Sequence, residues 1–245
     1  YLQLMSQMRT AIERDEFAAF YARMREPLAA LDMDTPPSPP KPGKRAAKKH
    51  LGAFSIVRSP DGHCSIAHAA SGEVMHSVNA PDDEAERIYV QQSKHLAHAR
   101  SSGDPSRDPS RDHGGARGGD PSAAPLVVWD VGLGAGHNAM ALLRALDAAP
   151  GHRPIELWSF EHDLDALRLA LRNLGDFPHL RAEAPHRLLA ERRYTRPGLT
   201  WHLLEGDFTA QAPRAPAADV VFYDPFSHKV DSPLWTVDAF ARLAS

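Results

Sequence analysis

The spacing of apolar positions changes several times along this chain. From residue 125 onward, short unbroken apolar runs alternate with stretches in which leucines recur every three or four positions, the pattern of buried strands separated by helices. Val127-Val128-Trp129, Ile155 and Leu157 with Trp158 and Phe160, Trp201-His202-Leu203-Leu204, and Val220-Val221-Phe222-Tyr223 read as four strands. Ala139, Leu142, Leu143 and Leu146 mark a helix after the first strand; Leu164, Leu167, Leu171 and Leu174 mark another, with Asp163 placed to cap it. Residues 179–192 form a third helix candidate, interrupted by Pro185, and Trp235 to Ala244 a last one. Strands alternating with helices predict an α/β fold with right-handed crossovers.

Upstream the pattern differs. Leu4, Met8, Ala11, Ile12, Phe17, Phe20, Tyr21 and Met24 fall at helical spacing, with an interruption near Arg14-Asp15-Glu16, so residues 1–30 read as a helical tail whose apolar stripe lacks a local partner. Residues 31–50 are rich in proline, then in lysine and arginine, and read as a stiff solvated linker. Across 51–100, Phe54 and Ile56 lead into an Asp61-Gly62 turn, Cys64, Ile66 and His68 alternate toward Ser71-Gly72, and Val74-Met75 starts another extended piece. Glu84 to Leu96 reads as a short helix. This is the pattern of a small β subdomain. Residues 101–124 hold almost no large apolar side chain, cannot offset their ordering entropy by burial, and are expected to be disordered.

Chemistry concentrates at the strand ends. The first strand breaks into Gly132-Leu133-Gly134-Ala135-Gly136 and then His137-Asn138 begin a helix. Such glycines let a backbone turn tightly and approach a ligand that a Cβ would repel. The GxGxG spacing lacks the third glycine of a dinucleotide fingerprint, so a nucleoside cofactor fits better than NAD. Glu161 closes the second strand, where it can accept bonds from ribose hydroxyls, and Asp207 follows the third, placed for an adenine amino group. Asp224 follows the fourth. All four lie on one rim of the expected sheet, where open α/β sheets bind ligands. S-adenosylmethionine is the expected cofactor, with Gly132, Gly134, Gly136, Asn138, Glu161 and Asp207 around it and Asp224 as the catalytic residue.

Composition narrows the rest. With 28 basic and 31 acidic residues among 245, no global positive field marks a nucleic-acid binder, although Lys41 to His50 packs five formal positive charges into ten residues and suits either phosphates or a solubilising linker. The single cysteine, Cys64, excludes an internal disulfide and a thiolate metal cluster, and no metal centre is expected. No stretch is long enough to span a bilayer and no signal-peptide pattern occurs, so a cytoplasmic protein is expected.

The order of motifs resembles a known family, the methyltransferase half of the bifunctional tRNA 5-methylaminomethyl-2-thiouridine biosynthesis protein (MnmC-like). The matching text is Asp61-Gly62, Gly72-Glu73-Val74-Met75-His76-Ser77, Glu84-Ala85, Val131 to Asn138, and Tyr223-Asp224-Pro225-Phe226-Ser227 with Lys229, Pro233 and Trp235. The resemblance covers about residues 51–245. It implies a class I methyltransferase (Rossmann-like) sheet over 125–245, tRNA as partner, and the aminomethyl nitrogen of a wobble uridine as methyl acceptor. His76, Phe226, Lys229 and Trp235 then fall on the substrate side: Phe226 and Trp235 either stack on a displaced base or pack a lid, and Lys229 either meets a phosphate or is an ordinary surface lysine. The chain departs from the family at Asp224-Pro225-Phe226-Ser227-His228, where Asp-Gly-Phe-Ala-Pro is usual, and at Ala135-Gly136-His137-Asn138, where the glycine loop usually runs Thr-Gly-Leu-Asn. The family sheet has three further strands, so a C-terminally incomplete sheet is expected.

Tyr1 to Ile12 with Phe17-Ala18-Ala19-Phe20 resembles the C-terminal helices of queuine tRNA-ribosyltransferase, which implies a portion of a longer polypeptide fused to that enzyme. The rival reading is a non-catalytic tRNA-binding or scaffold module; a nicotinamide-dependent oxidoreductase comes third.

Overall fold

The computed structural model describes residues 49–75, 80–101, 124–149 and 151–243, with part of residues 7–24. The chain divides into two compact units, Tyr1–Gly43 and Lys44–Ser245. In the first, the described positions are helical on either side of Arg14 and Glu16, as the apolar spacing predicts. His76, residues 31–48, and residues 102–123, where disorder was expected, lie outside the described residues.

The second unit holds two sheets. The smaller is antiparallel: β1 (His50–Leu51), β2 (Phe54–Arg58) and β3 (Cys64–His68), with Phe54 paired to His68 and Ile56 to Ile66. His50, read as the end of the linker, already belongs to β1. The Asp61-Gly62 turn joins β2 to β3, and Val74-Met75 returns along β3 through an Ala67–Val74 bridge. Next come α1 (Pro81–Ala85), which runs on as a π-helical turn over Glu86–Gln91, and α2 (Lys94–Ser101). The single helix expected over 84–96 is thus two pieces.

The larger sheet has the order β6-β7-β5-β4-β8, built from β4 (Leu126–Val131), β5 (Ile155–Glu161), β6 (Arg193–Arg196), β7 (Leu199–Glu205) and β8 (Val220–Tyr223). The four strands expected from the apolar runs are parallel; β6 adds an antiparallel edge. Helices α3 (His137–Asp147), α4 (Asp165–Leu171) and α5 (Glu183–Glu191) intervene, then α6 (Phe208–Gln211) before β8 and α7 (Val237–Leu243) after it. Pro185 is tolerated because it is the third residue of α5, in the first turn, where its missing N–H would have no intrahelical partner. Asp163 does not cap α4 in the standard position; its carboxylate accepts from the Asp165 N–H (2.9 Å) one residue further out.

Side chains alternate across the sheet. Val128, Leu157, Trp201 and Phe222 join a core with α3, α4, α5 and the small sheet; Val127, Trp129, Phe160 and Leu204 join a second core that includes Phe208, Ala212 and Leu234. From β4 the chain passes to β5 on one side, and it later reaches β8 on the other. This leaves the crevice at the carboxyl ends of β4 and β8 as the topological switch point.

Candidate active site

The bend after β4 is held open by backbone geometry. Gly132 has φ +87°, and a Cβ there would lie 2.6 Å from the Asp224 carbonyl oxygen and 3.0 Å from the Pro225 Cα. Only glycine lets the β4 and β8 ends approach so closely. At Gly134 (φ +50°) a Cβ would meet the Met75 Sδ at 2.9 Å, so the returning strand of the small sheet passes directly over the bend. Gly136 starts α3 and abuts Leu180 and Leu167, so it serves the helix–sheet packing.

Glu161 is tied to the same bend. One carboxylate oxygen accepts from the Gly134 N–H (2.8 Å), the other from the Asp163 N–H (3.0 Å). Burial pushes its carboxyl up, and those amide bonds pull the other way. Behind the bend, buried Asp130 accepts from the Ser159 hydroxyl (2.7 Å), which accepts from the Trp201 indole N–H (2.9 Å). Burial pushes Asp130 up to about 7 against that hydroxyl, and the Asp224 and Glu161 charges add to the rise. Asn138 in the first turn of α3 donates Nδ2–H to the Asp224 carboxylate (2.9 Å), and its own Oδ1 is buried without a hydrogen-bond partner among the described residues.

The small sheet walls the far side. Phe226 stacks on Phe54 (ring centroids 6.3 Å, 11° between planes), with His68 5.9 Å from each. The Ser227 N–H and hydroxyl both donate to the Glu73 carboxylate, at 2.6 and 2.7 Å, which pins the loop after β8 to the hairpin. Between these parts lies a cavity of about 300 Å³, the small end of the range for ligand sites. Gly132, Gly134, Glu161, Asp224 and Phe226 line it, together with Asp163 and Asp231.

Other expected residues stand apart from that lining. Asp207 caps α6, accepting from the Ala210 N–H (3.0 Å) and the Thr209 hydroxyl; the Thr209 bond holds its carboxyl below the usual range. Its charge is nevertheless felt by Asp231, whose carboxyl burial pushes up. Trp235 donates its indole N–H to the Phe226 carbonyl (2.7 Å) and packs edge-on to Tyr223, so it supports the loop from behind. Lys229 lies in the turn between Ser227 and Asp231. Glu73, Phe54, Met75 and Asp231 were not anticipated. Phe54, Glu73 and Met75 reach the rim only through the fold, whereas Asp231 carried a sequence signal, since it precedes Ser232-Pro233 as a turn-initiating acid.

The mostly parallel sheet, its switch-point cavity and the glycine bend define a Rossmann-like α/β domain. No protein-family model and no curated protein matches the chain. Among solved structures it is similar to MnmC2 from Aquifex aeolicus, with 22% identity, a TM-score of 0.54 and a match covering 79% of this chain. The chain spans 56% of the length of that protein, and the likeness is one of fold. The cofactor-bound Rv0187 from MTB matches at 17% identity and a TM-score of 0.29, over 66% of this chain and 57% of that one. These likenesses do not bear on the resemblance of residues 1–28 to queuine tRNA-ribosyltransferase. Among the described residues no helix is long and apolar enough to cross a membrane.

Proposed function

We propose that this chain is an S-adenosylmethionine-dependent methyltransferase domain whose acceptor is an amine on a modified wobble uridine of tRNA. The observation that carries the reading is the bond from the Gly134 N–H to the Glu161 carboxylate: the glycine bend and the acid of the next strand face one cavity rather than opposite sides of the sheet. The cradle fits the cofactor on one further ground: its polar groups at the strand ends are acidic, suited to hydroxyls, an ammonium and a sulfonium.

The cofactor, when bound, supplies an electrophilic methyl group. Glu161 would accept from ribose hydroxyls with the lone pairs left by its two amide bonds, and the backbone from Gly132 to Ala135, which borders the cavity, would face the methionine end. Asp207, at the outer flank beside Asp231, takes the adenine edge. Asp224, aimed by Asn138, would accept an N–H of the acceptor amine, orient its lone pair toward the methyl group and stabilise the positive charge that methylation places on the nitrogen. The same carboxylate would take the proton that the methylated nitrogen gives up. Phe226, stacked on Phe54, offers an aromatic face for the base, and Lys229 and His76 serve the tRNA side.

Calorimetry tests this directly. S-adenosylhomocysteine should bind and NAD should not, and Glu161→Ala should weaken binding at least about ten-fold, the loss of one hydrogen-bonded pair. Binding of NAD instead would overturn the reading. Binding of tRNA with no affinity for S-adenosylhomocysteine would favour a non-catalytic module.

A further inference from the structure

Behind the glycine bend, three side chains from separate segments converge. Asp82 belongs to α1, His137 is the first residue of α3, and His179 lies in a 3₁₀ turn, Pro178–Arg181. One nitrogen or oxygen from each lies within 4.8 Å of the other two. His137 Nδ1 is 3.2 Å from Asp82 Oδ1, and the two imidazoles stack at 3.9 Å with 29° between planes. His137 is only 5% exposed, in a pocket shared with Phe177.

The hydrogen bonds assign the imidazole atoms. His179 Nε2 is 2.9 Å from the Ala135 carbonyl oxygen, which can only accept. Nε2 therefore carries the proton, and the lone pair is on Nδ1. An imidazole whose N–H is fixed by a backbone carbonyl is oriented in the way that metal-binding histidines are. The Asp82 carboxylate supplies an anionic ligand at neutral pH.

We propose that Asp82, His137 and His179 form a binding site for a divalent cation of borderline softness, with zinc the best fit. Two imidazoles and one carboxylate are a ligand set that zinc takes readily, whereas magnesium and calcium prefer all-oxygen surroundings. Bonds of about 2.0–2.1 Å put tetrahedral ligands about 3.4 Å apart. The Asp82–His137 pair is already at that spacing, whereas closing on His179 takes up to about 1.4 Å of side-chain movement and a turn of the rings out of their stack, because an imidazole lone pair lies in its ring plane. Arg144, 3.3 Å from the same Asp82 oxygen, would share the carboxylate from the solvent side. Bound metal would staple α1 and the 3₁₀ turn to the start of α3. Because His179 also holds the Ala135 carbonyl, this staple would fix the last residues of the glycine bend. The site stands whether or not the methyltransferase reading does.

The test uses the purified chain after dialysis against a chelator. Zinc titrated by calorimetry should bind at one ion per chain, and His179→Ala and Asp82→Asn should each weaken that binding at least about ten-fold. Replacement of exposed His95 should leave it unchanged. Cobalt(II) in the wild-type chain should give the intense visible absorption of a four-coordinate site, a readout that does not depend on any variant folding. Absence of both the zinc isotherm and the cobalt spectrum, or wild-type zinc affinity in a folded His179→Ala chain, overturns the proposal.

Discussion

Glu161 and Asp207 both stand at the ends of parallel strands, yet the fold has given them different surroundings. Glu161 is roofed by the small sheet and the loop after β8, both its oxygens accept backbone N–H groups, and burial raises its carboxyl. Asp207 is exposed, spends one oxygen, Oδ1, on α6 and has its carboxyl held below the usual range by the Thr209 bond. A carboxylate at a strand tip lines the cavity here only where a second layer removes it from water. Here that layer comes from residues far away in the chain, Phe54, Glu73 and Met75.

The largest effect on this contrast should come from Gly132→Ala. The added Cβ would press on the Asp224 carbonyl at 2.6 Å, backbone against backbone, at a φ of +87° that alanine resists. We expect a loss of about 5 kcal/mol in urea denaturation, the range reserved for strain that cannot relax. Gly134→Ala should cost much less, about 1–2 kcal/mol, because the atom it meets is the flexible end of Met75 and the φ of +50° is one that L residues reach at modest expense. Equal losses would mean that the approach of the β8 end does not set the geometry of the bend.

Asp130 gives a pH-dependent test beneath the roofed region. Its folded value of about 7 lies above the 3.8 of an ordinary aspartate. Between those values the unfolded chain has released a proton that the folded chain keeps, so stability from this group is full below about pH 4 and falls as pH rises toward 7. The slope approaches about 1.4 kcal/mol per pH unit. Asp130→Asn removes this slope, and the variant should gain on the wild type as pH rises through that window in denaturant titrations. A constant difference would mean that Asp130 is ionised in the folded protein.

The sequence revealed much of this arrangement, and the omissions have physical causes. Consecutive apolar residues marked β4, β5, β7 and β8 because strands buried on both faces cannot conceal their composition. β6, Arg193-Tyr194-Thr195-Arg196, is an edge strand whose alternate side chains meet water, so it carried no apolar run. Asp130 was passed over inside such a run, since only the neighbouring Ser159 and Trp201 show how one of its oxygens is satisfied; the other is buried without a hydrogen-bond partner among the described residues. The rim acids Glu161 and Asp224 were legible because strand ends are set locally. Glu73, Met75 and the meeting of Asp82 with His137 and His179 arise from tertiary contacts, which no local period reports.

The smallest expected effect is the sharpest test of the contrast. Asp207→Ala removes the cap of a four-residue helix and should cost no more than about 1 kcal/mol of stability. Because Asp207 flanks the cavity without lining it, the same change should reduce S-adenosylhomocysteine affinity by less than Glu161→Ala does in matched calorimetry. If the two losses were equal, Asp207 would hold the adenine edge as firmly as Glu161 holds the ribose. The roof over β4 and β5 would then no longer explain which strand-end carboxylate binds more strongly, and exposure would be no handicap.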